Sequence, residues 1–241
     1  NSVGRALYGA YIQGVDELEL EFEDLDIFPD IKKNTERLLG FEIVSHTGGS
    51  CLIKSVAPAL ETEFDGILRR ILILLVETAK DTYVTAKTQK FDVIQELIER
   101  ERTNNKLVAF CLRVLNKKGH KEHKRVTLLY ALICELEYLA DEFREIIVSI
   151  NKSKKKISHA VMEIFSVIVR AIELFYEIIY RFDMKKFVEL KGLLNKEVDD
   201  KTILLLQQTR DIDTLILHHL SNISAQIYHA TLFSGAYEKK T

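Results

Sequence analysis

The chain has 241 residues, of which 47% are hydrophobic and 29% are charged, and its formal net charge is −2 at pH 7. This composition is typical of a globular protein with a packed core, and the charge excludes the strong positive field of a nucleic-acid-binding domain. With 10 glycines, 2 prolines and no tryptophan, the chain contains few helix breakers, which favours long helices.

The cysteines Cys51, Cys111 and Cys134 are far apart in the chain, and each falls within an apolar run. This usage indicates buried free thiols in a reducing compartment, not a disulfide framework. The most apolar run, residues 67–76, contains two arginines and is too short to span a bilayer. We therefore expect a cytoplasmic protein without membrane insertion.

Residues 1–57 are predicted to form a small α+β module. A short helical run precedes Gly14, and the alternation of Leu18, Leu20 and Phe22 with glutamates predicts a half-buried strand. Two further strands, about residues 41–45 and 51–56, flank a turn that contains two glycines. The first strand has few visible partners, and we expect it to pair with another chain.

After Pro58 the apolar residues recur at helical spacing and predict six helices, about residues 60–87, 91–115, 128–150, 157–182, 185–208 and 212–233. Polar breaks group them into two three-helix units, residues 58–153 and 154–241, with a period of some ninety residues. The predicted fold is therefore mainly α, with two tandem three-helix bundles after the α+β module. In the fifth helix, Leu190, Leu194 and Leu204 are predicted to face the core.

The third helix carries two carboxylates, Glu137 and Asp141, within the string E-L-E-Y-L-A-D-E-F. Residues four apart are neighbours on one helix face, so these carboxylates repel each other unless a cation lies between them. The alternative is an ordinary solvated face.

The second helix has an apolar face with polar interruptions, which reads Ile94, Leu97, Glu101, Asn104, Val108, Cys111 and Leu115. Burying an unpaired carboxylate costs several kcal/mol, so Glu101 needs a partner or a metal. Two alternatives remain open at this stage. The polar residues form a layer that fixes the register of the bundle, or this face turns towards solvent at mid-helix.

The string at residues 135–143 resembles the L-E-R-I-G-D-H-A signature of PhoU-type phosphate-signalling proteins, although three of its positions depart from the commonest letters. In that family the E-x-x-x-D pair lies on the third helix of a three-helix unit and binds metal ions. The string E-R-T-N-N at residues 101–105 also matches the position of the family's helix-two motif. The resemblance implies one metal site formed by Glu101, Asn105, Glu137 and Asp141. Such hard oxygen ligands suit Mg²⁺, Ca²⁺, Mn²⁺ or iron and suit zinc less well.

The second three-helix unit repeats only half of this pattern. The helix-two motif falls on the string N-K-E-V-D-D, which implies a weaker second site at Asn195, Glu197, Asp199 and Asp200. Ser221 and Ala225 occupy the positions that correspond to Glu137 and Asp141, so the carboxylate pair is lost. Three histidines on the last helix leave a transition-metal site as an alternative to plain surface histidines, namely His218, His219 and His229.

The string L-Y-G-A-Y-I-Q-G-V-D-E-L-E-L at residues 7–20 resembles the middle region of archaeal PhoU-like phosphate uptake regulators. In those proteins an AbrB/SpoVT-type DNA-binding β-module precedes this region, so we expect DNA binding only through such a preceding module. Residues 16–26 are strongly acidic, whereas phosphate contacts need lysine and arginine. We therefore expect these 241 residues to bind DNA weakly at physiological salt.

The resemblance implies a cytoplasmic, homodimeric regulator of phosphate uptake and of phosphate-responsive signalling or transcription. It would act through contacts with a phosphate ABC transporter or with that transporter's signalling partners. The sequence contains neither a P-loop nor a dinucleotide-binding glycine motif, and we expect no enzymatic activity. Two alternatives are a metal-dependent enzyme built on the same bundle and a metal-free dimerising helical adaptor.

Overall fold

The computed structural model describes residues 2–57 and 62–236. Of these residues 75% are helical, and a small three-stranded antiparallel sheet lies near the N-terminus, which confirms the mainly α class and the α+β module. The predicted boundary at Pro58 and the predicted helix start at Leu60 lie outside the described residues. Among the helices in the two described ranges, none has the length and apolar character needed to cross a membrane.

Contacts within the chain group it into two units. The first comprises Asn1–Arg69 and Asn105–Val126, and the second comprises Arg70–Asn104 and Thr127–Thr241. This grouping differs from the division that the polar breaks in the sequence predict, and that division stays a prediction.

The α+β part of the first unit follows the predicted order of elements. Its helices and strands are α1 (Ser2–Ile12), β1 (Glu17–Glu21), α2 (Phe28–Thr35), β2 (Phe41–Thr47) and β3 (Ser50–Ser55). The chain leaves α1 at Gly14, whose φ of 91° is a conformation that glycine adopts without strain. The turn between β2 and β3 closes the predicted hairpin.

The strand β1 pairs within its own chain. The sheet order is β1-β3-β2, and Leu18 and Leu20 lie opposite Ile53 and Cys51 of β3. The strand therefore has a partner in its own chain, some thirty residues further along the sequence, contrary to the expectation of few sheet partners. Its pairing with another chain stays a prediction. Homodimer formation itself stays a prediction. One face of the sheet packs on the core of the module, which includes Tyr11.

A buried arginine ties the α+β module to the C-terminal half of a long helix, which belongs to the same unit. Arg113, on α4 (Ile94–Lys118), is only 1% exposed. Its guanidinium donates hydrogen bonds to the carbonyl oxygens of Tyr11 (3.0 Å) and Val15 (2.6 Å) and to a carboxylate oxygen of Asp16. It also lies 5.0 Å from the ring centroids of Tyr11 and Phe41. These contacts compensate the cost of burying the charge.

Asp16 is the anionic partner in this arrangement. The ammonium of Lys117 donates a 2.6 Å hydrogen bond to the same carboxylate oxygen that Arg113 contacts. This hydrogen bond is the main reason that the pKa of Asp16 lies below its usual value, and the charges of Lys117 and Arg113 add to it. The loop between α1 and β1 is thus held by two cations from successive turns of α4.

The remaining helices are α3 (Phe64–Thr88), α5 (Val126–Ser153), α6 (His159–Tyr180), α7 (Met184–Gly192), α8 (Asp200–Leu206) and α9 (Ile212–Ala230). Together with α4 they correspond to the six predicted helices, with the fifth divided into α7 and α8. In the second unit, α6 packs against several neighbours. The ring of Phe165 meets Tyr83 of α3 edge-on at 5.6 Å and stacks with Phe143 of α5 at 6.5 Å.

A π-helical segment, Leu193–Asp199, joins α7 to α8. The buried residues of this continuous helical stretch recur every four positions, at Leu190, Leu194, Val198 and Thr202. Four residues of an α-helix advance about 40° beyond a full turn, so such a stripe drifts around the helix. A π-helix has more residues per turn, which cancels the drift and keeps the buried stripe straight. Leu204 is consequently 65% exposed, and its predicted place in the core was wrong.

The Arg113 contacts predict a large stability effect for Arg113→Met, which keeps an apolar stem but removes every hydrogen-bond donor. The buried carbonyl group of Tyr11 and the half-buried carbonyl group of Val15 lose this partner, so the free energy of unfolding should fall by about 2–4 kcal/mol. Urea denaturation followed by circular dichroism measures this change.

The matched control is Arg102→Met on the same helix, since the side chain of Arg102 is 54% exposed and pairs with Glu99 on the surface. That variant should lose less than about 1 kcal/mol. Equal losses for the two variants would contradict the structural role of Arg113.

Candidate functional site

The string E-L-E-Y-L-A-D-E-F lies in the middle of α5 with its apolar residues inward. Leu136, Leu139 and Phe143 are completely buried, whereas Glu137 is half-buried and Asp141 is exposed. This division follows from the helical period, which places positions 136, 139 and 143 on one face. The two carboxylates therefore lie beside the packed face of α5, where solvent reaches them.

Cys134 lies one helical turn before Glu137 and is influenced by it. The cysteine is half-buried, so its predicted full burial was wrong, while Cys51 and Cys111 are buried as predicted and all three are free thiols. Desolvation raises the pKa of Cys134, and the negative charges of Glu137 and then Glu135 raise it further. The thiol thus responds to the charge state of the predicted metal-ligating carboxylate.

The polar interruptions of α4 are buried. All seven positions of the predicted face are inaccessible, including Glu101 at 6% and Asn104 at 3% exposure. The alternative of a face turned towards solvent at mid-helix is therefore excluded, and a buried polar layer remains. The amide oxygen and nitrogen of Asn104 have no hydrogen-bond partner among the described residues. Buried amide groups normally have hydrogen-bond partners, so we expect a water molecule or an ion to contact these two atoms.

The predicted ligand set is divided between the two units. Asn105 is half-buried and belongs to the first unit, whereas Glu101, Glu137 and Asp141 belong to the second. Within residues 2–57 and 62–236, no three or more histidine, cysteine, aspartate or glutamate side chains are grouped so that they could hold a metal ion. The four-residue metal site stays a prediction.

The predicted second site falls on the π-helical segment and the first residue of α8. Glu197 forms a 2.6 Å ion pair with Lys201, and Asp199 accepts a 3.0 Å hydrogen bond from the buried hydroxyl of Ser224 on α9. Asn195 and Asp200 are exposed. Two of the four predicted ligands thus have partners on different sides of the helix, and the set is not organised around a common point.

The structure places an unpredicted polar network between α5 and α9. A carboxylate oxygen of Glu142 lies 2.7 Å from Nδ1 of His219, and the other accepts a 3.0 Å hydrogen bond from the amide nitrogen of Asn222. That amide nitrogen also lies 3.3 Å from Nε2 of His218. The carboxylate fixes the orientation of the imidazole of His219.

The sequence contained a weak signal for this network. His219 and Asn222 are three residues apart and therefore share a helix face, and Glu142 follows the predicted ligand Asp141 directly. The spacing did not reveal that these residues of α5 and α9 meet. The predicted transition-metal alternative named His218, His219 and His229. In the structure His218 contacts Asn222, His219 contacts Glu142, and His229 is exposed.

Comparisons with protein-family models, with curated proteins and with solved structures find no match to this chain.

Cys134 provides a prediction about the charge of Glu137. The variant Glu137→Gln should lower the pKa of Cys134, because it removes a negative charge that disfavours the thiolate. Since the thiolate is the nucleophile, alkylation by iodoacetamide near pH 8 should accelerate roughly twofold or more. Peptide mass spectrometry over a range of pH measures the rate at this cysteine alone.

Glu135→Gln is the matched control, since Glu135 contributes less to the same shift. It should shift the pH dependence of the alkylation rate of Cys134 by a smaller amount. A uniform change of rate at every pH would indicate altered access to Cys134 and not an altered pKa, and it would contradict the electrostatic interpretation.

Proposed function

We propose that this chain is a non-enzymatic helical regulator of the PhoU kind. In this proposal it controls phosphate uptake through contact with a phosphate transporter or with that transporter's signalling partners. An acidic helix face that responds to metal ions modulates the contact.

The observation that carries the proposal is the arrangement of the PhoU-like string on α5. Its leucines are buried, and its two motif carboxylates, Glu137 and Asp141, lie at the edge of the packed face with Asp141 in solvent. In this proposal a cation or a basic partner contacts the carboxylate pair from the solvent side. A pair buried in the core would serve packing alone.

The buried polar layer on α4 gives further support. Glu101 and Asn104 occupy core positions at which leucine or isoleucine would pack better, and burying them costs free energy. Such a cost is typical of a functional site or of a register-fixing layer. In the PhoU-like interpretation, this stretch of α4 belongs to the metal-responsive region.

The chemistry of the available donors fits a partly hydrated hard cation. Mg²⁺ is commonly held by one or two carboxylates and retains several water ligands. Glu137 and Asp141 would supply the two carboxylates, and no third acidic ligand is required. A cation there would neutralise two neighbouring negative charges and remove their mutual repulsion.

A thermal-shift experiment tests the cation site. Addition of Mg²⁺ or Mn²⁺ should raise the melting temperature of the parent protein, by several degrees once the free metal exceeds its Kd about a hundredfold. The double variant Glu137→Gln/Asp141→Asn removes both the repulsion and the ligands. We expect it to be at least as stable as the metal-free parent and to show no metal-induced shift.

The control double variant is Glu19→Gln/Glu21→Gln on β1, where both side chains are exposed and the change in net charge is the same. It should keep the full metal response. If Glu137→Gln/Asp141→Asn also keeps it, the site lies elsewhere, and variants of Glu197, Asp199 and Asp200 should be tested next. If the parent gives no shift, the cation part of the proposal is wrong.

Binding to the transporter tests the regulatory part. The full chain should bind saturably to the phosphate ABC transporter of the same organism reconstituted in nanodiscs, as measured by biolayer interferometry with and without Mg²⁺. Glu137→Gln/Asp141→Asn should bind without responding to Mg²⁺, and Glu19→Gln/Glu21→Gln should behave as the parent. Transient complexes have Kd values up to roughly tens of micromolar. If the folded parent protein does not bind the transporter at such concentrations, the regulatory part of the proposal is wrong.

A further inference from the structure

The strand β1 forms an edge of the three-stranded sheet. In the sheet order β1-β3-β2, β1 has a neighbouring strand on one side only among the described residues. Edge strands present backbone N–H and C=O groups that can pair with another chain. The orientation of these groups and of the side chains along β1 therefore defines which kind of segment fits the edge.

Two hydrogen bonds show which backbone groups of β1 point outward. The N–H of Ser55 donates to the carbonyl oxygen of Asp16, and the N–H of Phe22 donates to that of Gly49, both at 2.8 Å. In this register the even-numbered residues of β1 are the ones hydrogen-bonded to β3. The N–H and C=O groups of the odd-numbered residues point away from β3, and none of the described residues hydrogen-bonds to them. These odd-numbered residues are all glutamates.

The side chains of β1 alternate between the two faces of the sheet. The glutamate side chains are exposed on the solvent face, whereas Leu18 and Leu20 pack on the core of the α+β module. Both leucines stay half-buried, because no described strand covers their outer side. Apolar side chains of an added strand would therefore complete the burial of these leucines.

The charges along the edge are only partly compensated. Glu17 forms a 3.0 Å ion pair with Lys54, which lies opposite it on β3. Glu19 and Glu21 form no ion pair within the described part of the chain. In an added antiparallel strand, the side chains directly opposite these glutamates share the solvent face with them. A basic side chain at those positions would reproduce the contact that Lys54 makes from the other side.

A second copy of β1 does not fit this edge. Antiparallel self-pairing would place Glu19 opposite Glu19 of the partner subunit and Glu17 opposite Glu21 of the partner subunit. Like charges directly opposite each other destabilise a sheet, so the glutamates disfavour self-pairing. A segment that alternates basic and apolar residues has the complementary pattern on both faces.

We propose that the edge of β1 binds an extended segment of another protein, with alternating basic and apolar residues, as an added antiparallel strand. Backbone hydrogen bonds supply the affinity, and Glu19 and Glu21 select the basic residues. The antiparallel orientation matches both strand pairs of this sheet and is the more stable ladder. The proposal is independent of the proposed function, since the edge lies in the first unit and Glu137 and Asp141 lie in the second.

Amide hydrogen exchange measured by NMR tests the edge directly. In the free chain, the amides of Leu18 and Leu20 should exchange slowly and those of Glu19 and Glu21 rapidly. The probe is an acetylated and amidated peptide with the sequence Lys-Val-Lys-Val-Lys-Val-Lys. At saturation it should slow exchange at Glu19 and Glu21 about tenfold or more, because their N–H groups gain acceptors.

Two outcomes of the exchange experiment would overturn the proposal. The first is exchange at Glu19 and Glu21 that the peptide leaves unchanged. The second is slow exchange at these amides in the free chain that depends on protein concentration, since the occupant would then be a second copy.

N-methylated peptides separate strand pairing from charge attraction. In the antiparallel pairing, the N–H groups of the peptide's lysines face β1 and those of its valines face away. Methylation of the lysine backbone nitrogens should abolish binding, whereas methylation of the valine nitrogens should preserve it. Fluorescence anisotropy of labelled peptides measures both affinities. Equal binding of the two methylated peptides would mean that charge alone holds the peptide, and the added strand would be wrong.

The double variant Glu19→Gln/Glu21→Gln tests the selection of basic residues. It should bind the lysine peptide about three- to tenfold more weakly at low salt, because two cross-strand charge pairs are lost. The matched control is Glu137→Gln/Asp141→Asn, which changes the net charge equally and should bind as the parent does. Equal weakening by the two variants would show that binding follows net charge, and it would overturn the assignment to β1.

Charge reversal provides a gain of binding. Glu19→Lys/Glu21→Lys should lose the lysine peptide and should bind the peptide Glu-Val-Glu-Val-Glu-Val-Glu, which the parent does not bind. Both side chains are exposed, so the variant should fold, and circular dichroism checks this. A folded variant that still prefers the lysine peptide would overturn the proposal.

Discussion

The buried guanidinium of Arg113 is the interaction on which the first unit depends. A cation at 1% exposure is tolerated only because a carboxylate, two carbonyl groups and two aromatic rings surround it. All of these partners come from the α+β module, so the contacts fix the rotation of α4 about its own axis.

The parts of the fold that the sequence predicted are those set by local periodicity. The six helices and the hairpin β2–β3 appear close to their expected positions, since burial repeats every three to four residues in helices and every two in strands. The pairing of β1 with β3 was missed because it joins distant segments. Arg113 was overlooked although it interrupts an otherwise apolar run, L-V-A-F-C-L-R-V-L, and one charge in such a run is a usable signal for a buried ion pair.

For the candidate site, the sequence likewise predicted which residues of a helix are buried but not which residues of two helices meet. The spacing placed Glu101 and Asn104 on a buried face of α4, and the structure buries both. Spacing does not say which face of a neighbouring helix comes opposite, so the link from Glu142 to His219 and Asn222 emerged only from the packing of α5 against α9. The amide group of Asn104 has no hydrogen-bond partner among the described residues, which costs free energy. The sequence does not predict this cost, because it depends on the neighbouring helices.

The π-helical segment between α7 and α8 has several structural consequences. A buried stripe that repeats every four residues is incompatible with a long straight α-helix, and the π-helical segment resolves the mismatch. The same adjustment places Thr202 in the core and Leu204 in solvent, and Asp199 contacts Ser224 on α9.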